Sequence, residues 1–238
     1  MKNTPKTPAG ASPWMPLMRP VIVAAIGIAV LVAAFRAAPA EDNRALDGDI
    51  LNLSEEWARI KYLSKDDDER KERMAALGAR ADELTARYPG RAEALIWSGI
   101  VASERASLTW GISALDLATR ARDNLLAAER LDARALDAAA PTTLGILYYR
   151  VPGFPISWGD AKNARRYLEE AVENAPTGRE ARYYYADFLY ERGEYKRAEQ
   201  VLIKALTLPR HPERPVWDQQ LRKMMDELLA KVREKLKS

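Results

Sequence analysis

The sequence predicts an all-α protein: a solenoid of about four helical hairpins, closed by a C-terminal capping helix and preceded by an N-terminal signal or anchor helix. Three observations carry that expectation. Small and large residues recur at a spacing of 34 between residues 159 and 205. Residues 213–237 place apolar side chains at spacings of three and four. Ala, Leu, Glu and Arg dominate, whereas glycine and proline are modest at 12 and 14, a mixture that favours helix. With 47% hydrophobic and 30% charged residues the chain can bury a core and keep a solvated surface, so global disorder is excluded as an expectation.

Residues 20–35 carry no charge and are rich in Ala, Val and Ile. Sixteen helical residues span about 24 Å, against a hydrocarbon core of about 30 Å. The span lengthens if Leu17 and Met18 enter it while Arg19 snorkels, or if Ala37 and Ala38 join. Ala38-Pro39-Ala40 also fits a small-x-small cleavage site before Glu41. Three readings follow: an uncleaved anchor, a cleaved secretory signal, or a buried helix of the fold. The first two put the remainder outside the cytoplasm, because Lys2, Lys6 and Arg19 precede the segment while Glu41, Asp42, Asp47 and Asp49 follow it. The expected location is then the bacterial inner membrane, single-pass with a periplasmic domain, or the periplasm. The expected boundaries are 1–40 for signal or anchor, 41–53 for a linker, 54–212 for the repeats and 213–238 for the cap.

The repeats emerge from self-comparison. Gly159-Asp160-Ala161 aligns with Gly193-Glu194-Tyr195, and Ala164, Leu168 and Ala171 align with Ala198, Leu202 and Ala205, all 34 residues apart. The small residues let helices approach closely and the leucine fills the space between them. Pro89, Ala94 and Gly99 align with Pro176, Ala181 and Ala186 at a constant 87. Leu144-Gly145 followed by Tyr148 repeats the first-helix pattern, and Ala121, Leu125 and Ala128 the second-helix one. The hairpins are predicted at roughly 54–88, 91–132, 133–176 and 179–209. Beyond them Trp217, Leu221, Met224, Leu228 and Val232 form one stripe, with Pro212 and Pro215 at the helix start, where proline is tolerated. A solenoid needs such a helix to cover its last apolar face.

A period of 34 with these motifs identifies the repeats as similar to the tetratricopeptide repeat (TPR). Two stretches resemble something narrower. One is Leu144-Gly145-Ile146-Leu147-Tyr148-Tyr149-Arg150 running on through Pro152-Gly153-Phe154-Pro155 to Trp158-Gly159-Asp160; the other is Tyr183-Tyr184-Tyr185-Ala186-Asp187-Phe188-Leu189-Tyr190. Together they resemble the TPR-like proteins grouped with the T component of TRAP transporters, over roughly residues 90–215. That resemblance implies an exported helical protein that assists periplasmic substrate-binding proteins or holds a small hydrophobic ligand. The chain departs from the lipoprotein form, because it has no cysteine to carry a lipid.

Composition and motifs also bound the chemistry. The absence of cysteine rules out disulfides, thiolate nucleophiles and cysteine-bound metals. The formal charge of +3 comes from the N-terminus: residues 1–40 hold Lys2, Lys6, Arg19 and Arg36 and no acid, which leaves 33 basic residues against 34 acids in the remainder. No basic stripe suited to phosphates is present, so nucleic acid is not an expected partner. The single histidine, His211, lies in a Pro-Arg-His-Pro loop with no evident triad around it. Asp66-Asp67-Asp68-Glu69 lacks the spacing and glycine of a calcium loop and suits a helix start. Gly90 stands alone rather than in a phosphate cradle, and Glu169-Glu170 are adjacent and do not share a helix face. No enzyme activity, metal or cofactor is expected.

Binding is therefore the expected role. In stacked hairpins the first helices line a concave groove, and the positions assigned to it are Ile96 and Ile100, then Ile146, Tyr149 and Arg150, then Tyr183, Asp187 and Tyr190. Tyrosine suits such a surface because an apolar ring carries a polar tip. In the loop 151–160, Phe154 and Trp158 either line a pocket mouth or plug the solenoid interior. The leading expectation is a module that binds a protein partner. The alternative is a transporter accessory that holds a small apolar ligand or a periplasmic substrate-binding protein.

Overall fold

The computed structural model describes the backbone over residues 24–237 and side chains over residues 42–237. The expected signal or anchor, residues 20–35, lies outside the residues described with side chains. Among the described residues no helix is long and apolar enough to cross a membrane. The chain divides into two units, Met1–Arg44 and Ala45–Ser238, and the structure below is that of the second.

Nine helices are described: α1 (Ala24–Leu63), α2 (Asp67–Arg87), α3 (Ala92–Ser107), α4 (Ile112–Asp132), α5 (Ala135–Arg150), α6 (Ala161–Asn174), α7 (Arg179–Glu191), α8 (Tyr195–Leu206) and α9 (Pro215–Lys237). Helices α3–α4, α5–α6 and α7–α8 pair as hairpins, α1 meets α2 through the Asp49 carboxylate, which accepts from Arg87 and Tyr88 at 3.0 Å, and α9 packs on α7 and α8. The acidic run before α2 acts as a cap: Asp66 Oδ1 accepts from the Glu69 N–H at 2.8 Å, while Glu69 Oε2 accepts from the Lys65 N–H at 2.9 Å. Asp160 caps α6 in the same manner, accepting from the Asn163 N–H at 2.6 Å. Gly193 turns α7 into α8 with φ of 74°, a conformation an L side chain rarely adopts.

The repeated small residues set the helix spacing. A Cβ at Gly99 would lie 2.6 Å from Leu125 Cγ, and one at Gly145 would lie 2.5 Å from Leu168 Cγ. The first helix of each of these hairpins thus rests its backbone directly on a leucine of the second. Ala121 and Ala164 stand beside those leucines with their carbonyl oxygens at the same contact.

The structure departs from the sequence reading in three places here and adds one feature. Residues 41–53 are not a linker: they lie within α1, and Leu46, Ile50 and Leu53 are buried in the core. The stripe of α9 runs through Met225 rather than Met224, together with Leu221, Leu228, Leu229 and Val232. Trp217 does not rest on the fourth hairpin alone. Its ring lies 5.3 Å from Trp57 and 5.9 Å from Tyr62, both on α1, so the cap also reaches the first hairpin. Finally α5 opens with a left-handed turn at Leu136, Asp137 and Ala138, with φ between 50° and 58°. Left-handed backbone costs about 1–2 kcal/mol per L-residue.

Candidate functional site

Within residues 45–238 the helices form an open cavity of about 630 Å³. Its wall is assembled from helix stripes with spacings of three and four. Helix α1 contributes Asp47, Ile50, Ser54, Trp57 and Lys61; α3 contributes Trp97, Ile100, Glu104 and Ser107. Helix α5 contributes Leu136, Ala139, Thr143, Ile146 and Arg150; α7 contributes Glu180 and Tyr184. Glu213 and Arg214, from the link between α8 and α9, complete it. These are the first helices of all four hairpins, and their common orientation follows from the stacking that buries their other faces.

One end of the cavity is an aromatic cluster. Trp57 meets Trp97 edge-on at 5.9 Å and Trp217 at 5.3 Å, and Tyr62 stacks on Trp217 at 5.9 Å. Two cations lie over these rings: Lys61 Nζ is 5.0 Å from the Trp57 centroid, and the Arg214 guanidinium is 5.7 Å from Trp97 and 5.8 Å from Trp217. Lys61 also pairs with Glu104 at 2.6 Å. Glu180 accepts from Trp217 Nε1 at 3.1 Å and lies 4.0 Å from Arg214. Burial pushes the Glu180 carboxyl above its usual range despite Arg214 and Trp217 nearby, and burial likewise raises the Tyr184 phenol.

Of the sequence-assigned groove residues, Ile100, Ile146 and Arg150 line this cavity. Ile96 does not: it is fully buried in a second core cluster with Ala92, Leu125 and Leu144, which corrects its assignment. Tyr149, Asp187, Tyr183 and Tyr190 lie outside the cavity wall. Tyr149 donates to Asp187 at 2.6 Å, Arg150 pairs with the same carboxylate at 2.6 Å, and the Tyr149 ring meets Phe188 at 5.6 Å. Desolvation, helped by the Asp187 charge, pushes the Tyr149 phenol well up. Tyr183 packs against Tyr184 at 4.9 Å and Tyr190 against Tyr195 at 5.6 Å. Burial raises Tyr183 to about 12. The tyrosines are therefore half-buried packing residues, Tyr149 on α5 beside the cavity-lining Arg150, and Tyr183 and Tyr190 on α7 out of phase with the cavity-facing Glu180 and Tyr184.

Sequence reasoning missed Trp57, Trp97, Lys61, Glu104, Glu180, Tyr184 and Arg214. A signal for the first two existed. Trp97, Ile100, Glu104 and Ser107 form a stripe of spacing three and four, as do Ser54, Trp57 and Lys61. Choosing Ile96 in place of Trp97 turned the assumed face of α3 by one residue.

The loop 151–160 contributes nothing to the cavity wall. Trp158 is packed inward, 5.2 Å from Tyr148 and 4.7 Å from the Arg122 guanidinium, and donates to Thr119 at 3.2 Å. Phe154 is 93% exposed. Trp158→Ala is accordingly expected to destabilise the protein by about 2 kcal/mol in urea melts, whereas Phe154→Ser stays within about 0.5 kcal/mol of the parent. Equal effects would show that the loop is not anchored through Trp158.

His211 is a tether. Its Nε2 lies 3.5 Å from Asp137 and its Nδ1 2.9 Å from Glu213, joining the α8–α9 link to the left-handed turn of α5. Among the described residues no group of three or more His, Asp or Glu side chains is placed to hold a metal ion.

Stacked helical hairpins with a concave cavity and a capping helix define an all-α repeat scaffold that presents a binding surface. The family model described as a tetratricopeptide repeat matches residues 157–214, which span α6, α7, α8 and the link towards α9. Such repeats are interaction scaffolds that generally bind protein partners. No curated protein matches the chain.

Proposed function

We propose that this chain is an exported or membrane-anchored interaction module whose concave face receives an apolar segment of a protein partner. The observation that supports this most is the cavity itself, whose wall runs across the first helix of every hairpin. The charge asymmetry around residues 20–35 supports export or anchoring at the cytoplasmic membrane. A photo-reactive amino acid at Ile146, carried by the full chain in bacterial membranes, is expected to form a protein adduct. The same group at Ile203, exposed on α8, is expected to form none. Equal adducts at both positions, or none at Ile146, overturn the reading. Alkaline phosphatase fused after Ile50 is expected to be active, and an inactive fusion overturns the topology.

A second reading is supported by the size of the cavity and the aromatic cluster at one end: a transporter-accessory protein that holds a small apolar ligand or serves a periplasmic substrate-binding protein. About 630 Å³ falls within the usual range for small-molecule sites. The transporter association rests on the family resemblance of residues 90–215.

A further inference from the structure

Among the described residues, the large apolar side chains that stand farthest into solvent are Leu63, Trp110, Ile112, Phe154 and Ile156, each 59–93% exposed. All five sit in or beside the turns that follow α1, α3 and α5. Those turns share one edge of residues 45–238. Lys61, near the end of α1, pairs with Glu104, near the end of α3, at 2.6 Å. Helices α3, α4 and α5 pack in succession through short links, so α3 and α5 run the same way and end on the same side. The loop after α5 lies against α4, where Trp158 Nε1 donates to Thr119 at 3.2 Å. None of the five side chains lines the cavity, so this surface is separate from it.

The turns that carry them are built rather than loose. In the loop 151–160 the Ile156 N–H donates to the Gly153 carbonyl at 3.1 Å, and the Gly159 N–H to the Pro152 carbonyl at 3.0 Å. Trp158 pins the inner side of this loop against Tyr148 while Phe154 stays in solvent. Before Trp110, the Thr109 hydroxyl donates to the Arg105 carbonyl at 2.7 Å. A backbone ordered in advance loses little entropy on binding. An aromatic ring offers about 150–250 Å², and the five side chains together approach the ~800 Å² that one side of a standard interface buries. Single apolar residues scattered over a surface are ordinary, but a concentration along one edge marks an interaction site.

The flanks of these side chains are acidic. Asp66, Asp67 and Asp68 follow Leu63, Asp116 lies one helical turn from Ile112, and Asp160 closes the loop of Phe154; all five acids are exposed. The exposed bases in the stretches 63–70, 108–116 and 151–162 are Lys65 and Lys162. Such a flank repels an anionic lipid surface, and two copies meeting edge to edge would bring like charges together. The chain also enters this unit from the other side, because Ala45 lies about 27 Å along α1 from Leu63. The uncharged segment 20–35 is therefore joined to the far edge.

We propose that this edge docks a partner protein whose surface is apolar at its centre and rimmed by Lys and Arg. Trp110 and Phe154 are the anchors, and the aspartates meet the basic rim. Buried rings supply most of the affinity of such an interface, and complementary charge supplies its specificity. The edge is a second surface, independent of the concave-face reading.

The test places a photo-reactive amino acid at Trp110 or at Phe154 of the full chain in the cells that make it, with adducts mapped by mass spectrometry. Both positions are expected to join the same protein, other than this chain, at an apolar stretch flanked by Lys or Arg. Asp116→Lys is expected to cut the Trp110 adduct on the order of tenfold, and Asp67→Lys added to it to cut both adducts further. Circular dichroism checks that helix content is kept, and Asp116→Lys alone serves if the double variant loses it. An adduct at Ile146 is expected to be unchanged in these variants, so failure here and failure of the concave-face reading are distinguishable. Adducts to lipid would make the edge a membrane contact, and adducts to this chain an interface between copies; either overturns the proposal. Adducts at acid-flanked stretches, adducts that survive the charge reversals, or no adduct at either position overturn it as well.

Discussion

Trp217→Ala is expected to lower the stability of the protein by about 3–5 kcal/mol, the usual cost of deleting a fully packed tryptophan. Trp217 is 1% exposed and its ring contacts Trp57 and Tyr62 of α1, while its Nε1 donates to Glu180 of α7. The substitution removes the ring that bridges the first hairpin, the fourth hairpin and the cap, and it leaves the Glu180 carboxyl with one donor fewer. Chemical denaturation read by circular dichroism measures the loss. The same logic extends to the whole helix. Ending the chain before Pro212 uncovers the faces of α7 and α8 that meet Leu221, Met225, Leu228 and Val232. That truncation is expected to aggregate or to melt far below the parent. A truncated chain that remains monomeric with an unchanged melting temperature would make α9 a detachable arm.

Asp218→Asn is expected to cost about 3–5 kcal/mol, because it leaves a buried guanidinium without its counter-ion. Arg179 is 1% exposed and pairs with Asp218 at 2.5 Å, and Asp218 is itself 2% exposed. Asp218 also accepts from Arg210 and from the His211 N–H, so it ties the start of α7, the α8–α9 link and the start of α9 together. Removing Arg179 instead is expected to cost less, since Asp218 keeps Arg210 and the His211 N–H. The pair Arg179→Met with Asp218→Leu is expected to recover most of the loss, because Arg210 is exposed and returns to water. A double variant as unstable as Asp218→Asn would contradict this account.

Asp218 also sets a pH dependence. Burial alone would raise its carboxyl, but the Arg210 and His211 hydrogen bonds and the charge of Arg179 overcome that and hold it below its ordinary value. A carboxylate depressed in the folded state stabilises the fold above its unfolded pKa of about 3.9, and that stabilisation is lost as pH falls through the lower folded value. The melting-temperature gap between the parent and Asp218→Asn is therefore expected to be widest near neutrality and to narrow below about pH 4. A gap constant down to pH 2 would mean that the charge of Asp218 contributes nothing.

Helix content, hairpin count and the capping helix were legible in the sequence because each rests on short-range regularity. The spacing of 34 between Leu168 and Leu202, and the glycine of each Gly–Leu contact, reports a packing rule that repeats along the chain. Helix phase within a hairpin was less legible. Ile96 and Trp97 are both large, apolar and central to α3, and only the position of α4 and α5 decides which of them is swallowed by the core. The same one-residue ambiguity separates Tyr183 from Tyr184. Residues 41–53 were expected to be a linker, yet Leu46, Ile50 and Leu53 recur at helical spacing and are buried.

By itself, then, the sequence determined an all-α chain of four hairpins and a cap, with no cysteine chemistry and a charge balance near neutrality beyond the N-terminus. Local periodicity suffices for that, because each helix buries a stripe that its own residues spell out. Only the tertiary structure decided which stripes face the concave side and that α9 reaches α1 through Trp217 and Trp57. It also brought Lys61, Glu180 and Arg214 to one aromatic wall. Lys61 lies more than a hundred positions from Glu180 and Arg214, and their meeting depends on the summed rotation of the stacked hairpins. No local window of sequence encodes that quantity.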